Sequence, residues 1–198
     1  KPESDLVVEL MQKERKHEVL TSGYVPEFEF DLDIQKILVE IRKPTLEDQT
    51  PYEDQIKGQV GKELSFDVLQ KTQFVPGVAT VVVHGDRIIQ VEPGDTTEVP
   101  YGVAIDIGTT TVVCTLIDML TGKELAHSSM INSQKHFGLD VLTRITYDLE
   151  HPEDGVEKLQ KAIVDSINDM IVDICRQAGV QKEHIYEIAV GANCTMMH

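Results

Sequence analysis

The segment Ala104-Ile105-Asp106-Ile107-Gly108-Thr109-Thr110-Thr111 concentrates groups able to handle a phosphate. A carboxylate lies near the end of one apolar run, a glycine follows, and three hydroxyl residues precede the next apolar run, Val112 to Ile117. In a strand–turn–strand, Gly108 would let the backbone come close and take a positive φ. The amides and hydroxyls of Thr109, Thr110 and Thr111 would donate to phosphate oxygens. Asp106 would hold a Mg²⁺ ion through its water shell. The plain alternative is an ordinary hairpin, because threonine is a good strand residue.

Two further clusters lie downstream. Asn132 and Gln134, then Asp140 and Arg144, gather polar groups at the mouth of a helix. Asp140 and Arg144 are spaced i, i+4 and can pair on one helical face; the alternative is an exposed salt bridge of little worth. Val190 to His198 follows a strand and should open a helix, which places Asn193 and Thr195 at its N-terminus facing a cleft. For Asn193 the alternative is an N-cap. The seven histidines are scattered without metal-ligand spacing. No residue is assigned a catalytic role.

These groups need elements to position them. Tyr101–Ile107, Thr111–Ile117 and Glu124–Ile131 read as three strands, with Asp118 to Gly122 as a turn. Val141, Ile145 and Leu149 form a helical stripe within 138–150. Val156, Leu159, Ile163, Ile167, Met170, Ile171 and Ile174 form a stronger one, ended by Gly179. Ile185–Val190 reads as a final strand, so the order is βββααβ. Upstream, Phe28, Phe30, Leu32 and Ile34 alternate with acidic residues as a half-buried strand, continued by Ile37–Ile41. Thr50-Pro51-Tyr52-Glu53 predicts a capped helix start, and Ser65 a second short helix through Gln73. Val78–Val83 and Arg87–Val91 predict a hairpin. The resulting organisation is an arm over 1–25, a small α+β domain over 26–97 and a second unit over 98–198.

The 198 residues carry a formal charge of −16, from 34 acidic and 18 basic side chains. That balance argues against nucleic acid and anionic membrane surfaces as partners. No apolar run is long enough to span a bilayer, and the polar N-terminus lacks a signal core. The three cysteines, Cys114, Cys175 and Cys194, support neither a disulfide framework nor a metal knuckle. Cys114 and Cys175 sit in apolar patterns as buried thiols, and a reducing cytoplasm is the expected compartment.

Taken together, YGVAIDIGTTTVVCTLIDMLTGKELA, NSQKHFGLDVLTRI and VGANCTMMH, in this order, resemble the ATP-dependent reductive activators of corrinoid proteins. The pattern Asn132-x-Gln134-xxx-Gly138-x-Asp140-Val141-xx-Arg144-Ile145 is more specific than the loop. VEPGDT (Val91 to Thr96) also fits. The resemblance is strong over 91–198 and looser over 26–90. Ala192 stands where a glycine is usual and Cys194 where a threonine is usual.

The resemblance implies a middle α+β domain followed by a partial actin-like, ribonuclease H-like ATPase subdomain of the actin, sugar kinase and heat-shock-70 superfamily. It implies ATP with Mg²⁺ as ligand, phosphates on Gly108, Thr109, Thr110 and Thr111, and Asp106 organising the metal. Asn132, Gln134, Asp140, Arg144, Asn193 and Thr195 become cleft candidates. The implied activity returns Co(II) corrinoid protein to Co(I) with electrons from a [2Fe–2S] ferredoxin domain whose four-cysteine signature is absent from this sequence. A corrinoid protein is the implied partner, with a homodimer through the middle domain. The second phosphate loop, the adenosine motif and the second lobe are also absent. These 198 residues alone are therefore expected to bind MgATP weakly or not at all. Two alternatives stay open: a sugar-kinase-type phosphotransferase, and a non-catalytic dimerisation or docking fragment.

Overall fold

The computed structural model describes residues 32–197. The expected arm over 1–25 and the residues Phe28 and Phe30 lie outside them. The first sheet is built from β1 (Ile34–Ile41), β2 (Gly77–His84) and β3 (Arg87–Pro93), antiparallel in that order. Between β1 and β2 run α1 (Tyr52–Val60) and α2 (Phe66–Lys71). Alternation along the strands turns Val39, Ile41, Ala79, Val81 and Val83 toward these helices, where Ile56, Leu64 and Val68 complete the core. Ser65 caps α2 by accepting from Val68 N. Thr50 does not cap α1 as expected: its hydroxyl donates to Asp48 Oδ1 at 2.6 Å, and Pro51 stands at the helix start. A local Asx-type turn has taken the hydroxyl that the helix could have used.

The second unit begins with β4 (Tyr101–Ile107), β5 (Thr111–Asp118) and β6 (Lys123–Ile131), three antiparallel strands. After α3 (Val141–Glu150) and α4 (Gly155–Ala178), β7 (Ile185–Ala192) returns parallel to β4. The sheet order is β6-β5-β4-β7, and the short helix α5 (Cys194–Met197) follows. Val103, Ile105 and Ile107 of β4, with Val112, Cys114 and Leu116 of β5, pack on Ile163, Met170 and Ile174 of α4. The expected α4 stripe is therefore a core stripe, apart from its first member: Val156 is exposed.

The α3 stripe is different. Ile145 and Leu149 are exposed, and the buried residue of α3 is Arg144. An aliphatic spacing of four marked a face, but the polar tethers of Arg144 set which face turns inward. Tyr147 flanks it, stacked on His151 and tilted against Phe137.

The two units meet through Ile34, Val82 and Met119, with Tyr186 of β7 packed against them. Beside them lies a buried polar group. Lys36 Nζ is 3.0 Å from Glu92 Oε2 and donates to Tyr186 OH at 2.8 Å. Tyr186 and Thr96 both donate to the Glu92 carboxylate. Burial pushes the Tyr186 phenol far up, reinforced by the Glu92 carboxylate, so it remains a donor.

Cys114 and Cys175 are buried, and Cys194 is exposed. Burial, with Cys175 nearby, pushes the Cys114 thiol up to about 11; burial also raises Cys175. Of these three, iodoacetamide is expected to alkylate only Cys194 in the folded protein, with Cys114 and Cys175 reacting after unfolding. Peptide mapping by mass spectrometry reads the order.

Candidate functional site

The loop between β4 and β5 is a tight turn in which Gly108 N donates to Thr111 O at 2.9 Å. Gly108 does not adopt the expected positive φ. Its requirement is steric: a Cβ there would sit 2.7 Å from Thr111 O. Gly108→Ala should therefore force the turn open and destabilise the protein by about 2 kcal/mol, the usual scale of overpacking. Urea unfolding measures it.

Three successive carbonyls of the loop are drawn to one side. Asn132 Nδ2 donates to Gly108 O at 2.9 Å, Arg144 Nη2 to Thr109 O at 2.6 Å, and Asn132 N to Thr110 O at 2.8 Å. In a planar trans peptide the following N–H points opposite to each carbonyl. The amides of Thr109 and Thr110 are thus turned away from the protein interior, and among the described residues neither donates to a partner. Successive free backbone amides in a turn are the kind of group that can hold an anion.

The tethers come from elements that are themselves fixed. Asn132 is fully buried and accepts from Gln134 N at 2.9 Å. Gln134 donates to Leu159 O of α4 at 3.1 Å and accepts from Arg144 Nη1 at 3.3 Å. Arg144 also donates through Nε to Gly138 O at 3.0 Å. This approach needs glycine at 138, where a Cβ would lie 2.5 Å from Thr143 Oγ1. Asn132, Gln134 and Arg144 therefore sit behind the loop, holding its shape, rather than lining its open side.

Asp140 and Arg144 do not pair. Asp140 caps α3, accepting from Thr143 N at 2.8 Å while Thr143 Oγ1 accepts from Asp140 N at 3.2 Å. Those bonds hold the exposed Asp140 carboxyl below the usual carboxylate range. Arg144, drawn inward by the loop carbonyl, is out of reach of it. The exposed-salt-bridge alternative fails with the pair, because Arg144 is 3% exposed.

Asn193 takes the N-cap alternative and also reaches the loop. Its Oδ1 accepts from Met196 N at 3.1 Å as a cap, and its Nδ2 donates to Thr109 Oγ1 at 3.3 Å. The first turn of α5 is thereby placed beside the loop. Thr195 lines a cavity of about 460 Å³ between α3, α4 and α5, together with Arg144 and Met196. Met196, which sequence patterning did not single out, receives Arg144 Nη1 at 3.5 Å on its sulfur.

Asp106 stands apart from this group. Alternation turns Ile105 and Ile107 toward α4 and Asp106 to the opposite face of the sheet. There it lines a shallow cavity of about 320 Å³ with Val113, Thr115, Val190 and Gly191. Among the described residues no three His, Cys, Asp or Glu side chains come together as a metal site. A single exposed carboxylate suits an ion held through water rather than a dedicated cage. The three cysteines are one short of the four thiolates a [2Fe–2S] cluster takes, and they are widely separated in the sequence.

Three antiparallel strands, a fourth parallel to the first of them, and a tight turn between the first two give the second unit an α/β fold, a mixed sheet with helices packed on it. Two family models match the chain: the RACo linker region over residues 25–98 and the RACo middle region over residues 101–198. Over 119 residues, 60% of this chain, it is 41% identical to the corrinoid activation enzyme RamQ of Eubacterium limosum. A solved reductive activator for corrinoid, iron-sulfur protein superimposes with a TM-score of 0.66 at 34% identity, over 89% of this chain. The chain belongs to the RACo family. It spans 20% of the length of RamQ and 30% of that of the solved activator. Residues 26–97, read from sequence as a middle domain, carry what the family calls its linker region.

Proposed function

We propose that the protein to which these residues belong is an ATP-dependent reductive activator that returns a Co(II) corrinoid protein to Co(I), and that the 108–111 turn holds the nucleotide phosphates. The observation that carries the site is the pair of outward, unpartnered amides at Thr109 and Thr110, set by three carbonyl tethers. The Thr109 hydroxyl, already oriented by Asn193, adds a side-chain donor. Asp106, on the sheet face opposite α4, would hold Mg²⁺ through its water shell. When bound, MgATP supplies the free energy for an otherwise unfavourable one-electron reduction. As the family resemblance implies, the electron would come from a [2Fe–2S] domain outside these residues.

The partner is a corrinoid protein in the cytoplasm, and the acidic charge is consistent with a protein partner rather than a nucleic acid. Among the described residues no helix is long and apolar enough to cross a membrane. The proposal includes a homodimer through residues 26–97, where Leu38 and Val78 are exposed. Family membership takes the place of the sugar-kinase alternative.

The test is Co(I) absorbance when ATP and a reductant are added to the full-length protein with a Co(II) corrinoid protein. ATP-dependent Co(I) formation is expected. Equal Co(I) with and without ATP would reject the reading.

A further inference from the structure

The Arg144 guanidinium is buried, and every acceptor it reaches is neutral: the carbonyls of Thr109 and Gly138, the Gln134 amide oxygen and the Met196 sulfur. Among the described residues no carboxylate lies within ion-pair distance of it; Asp140, committed to the α3 cap, acts on it only from farther off, and Asp148 lines the same cavity without pairing. A buried cation without a counter-ion ordinarily costs several kcal/mol. At the same time the segment 104–113 contains an acid, Asp106, and no basic residue, in a chain of net charge −16. A polyanion approaching this loop would meet a repulsive field unless a positive charge stood close by.

We propose that Arg144 is the counter-charge of the bound phosphates, acting from behind the loop through the Thr109–Thr110 peptide rather than by touching the ligand. The inference rests on the phosphate reading of the turn. The 2.6 Å bond from Nη2 to Thr109 O polarises that peptide and strengthens the outward Thr110 N–H as a donor. The low-dielectric surroundings let the charge reach across the thickness of one strand turn with little screening. Arg144 is thus a positioning residue with an electrostatic role, and its own missing counter-ion is the ligand.

Such a role predicts losses that scale with ligand charge. By calorimetric titration of the full-length protein, Arg144→Gln should weaken MgATP by about tenfold or more and ADP by less, leaving adenosine nearly unchanged. Arg144→Lys should recover most of the MgATP affinity. If Arg144→Gln does not fold, Gln134→Glu decides: it keeps the guanidinium and supplies a carboxylate in place of an amide 3.3 Å from Nη1. That variant should likewise weaken MgATP more than adenosine. Equal losses for all three ligands, or no recovery with lysine, would overturn the proposal and leave the phosphate reading intact. No MgATP binding by the unmutated protein would instead overturn the phosphate reading itself.

Discussion

In the full-length protein, Asn132→Ala is expected to cost about 3 kcal/mol of stability and to abolish tight MgATP binding. One buried side chain donates to Gly108 O at 2.9 Å and accepts from Gln134 N at 2.9 Å. Alanine leaves both backbone groups buried without a partner, and each such group costs about 1–3 kcal/mol. The Asn132 N–H to Thr110 O bond can persist, so the sheet itself should survive. The loop would not keep its shape, because the Gly108 carbonyl could turn outward and carry the Thr109 amide inward. Urea unfolding and calorimetric titration read the two effects. A variant with wild-type stability and wild-type MgATP affinity would show that the loop does not depend on this tether.

Lys36→Met is expected to cost about 3 kcal/mol at neutral pH, the scale of breaking a buried ion pair on one side. Lys36 and Glu92 side chains are 3% and 4% exposed, and methionine leaves the carboxylate without its cation. The cost should depend on pH. Burial alone would raise the Glu92 carboxyl, but hydrogen bonds from Thr96, Tyr186 and Lys36, with the Lys36 charge, outweigh it and hold the group below its ordinary value. A depressed folded value contributes stability that is complete above the unfolded value of about 4.3 and is lost as pH falls through the folded one. The gap between wild type and Lys36→Met should therefore be widest near neutrality and close as pH drops below about 4.3. A gap independent of pH would mean that lysine acts through its aliphatic stem alone. Since Tyr186 ties the pair to β7, the same variant should also loosen the contact between the two units.

Much of this molecule could be read from its residue order. Strand alternation and the turn signals placed β4, β5 and β6 nearly to the residue, and the long α4 stripe marked the core helix, because burial on one face leaves a period that survives in sequence. The family itself was carried by Asn132, Gln134, Gly138, Asp140 and Arg144 in fixed spacing. Their roles were less legible. The i, i+4 spacing of Asp140 and Arg144 suggested a pair, whereas capping claimed the carboxylate and a loop carbonyl 35 positions away claimed the guanidinium. Gly108 was expected to supply a left-handed backbone and instead supplies clearance from Thr111 O. The Lys36–Glu92–Tyr186 group left no signal as a group: Glu92 falls within VEPGDT, but its partners lie up to 150 positions apart and look like ordinary strand residues. Local rules report local competition; these contacts were decided by packing between elements.

The most direct measurement of the site is the backbone amide spectrum of the ¹⁵N-labelled full-length protein during titration with MgATP. The expected result is large downfield shifts of the Thr109 and Thr110 amides, with smaller changes at Asn193. Unmoved Thr109 and Thr110 signals at saturating nucleotide, with shifts elsewhere, would contradict a phosphate site on this turn.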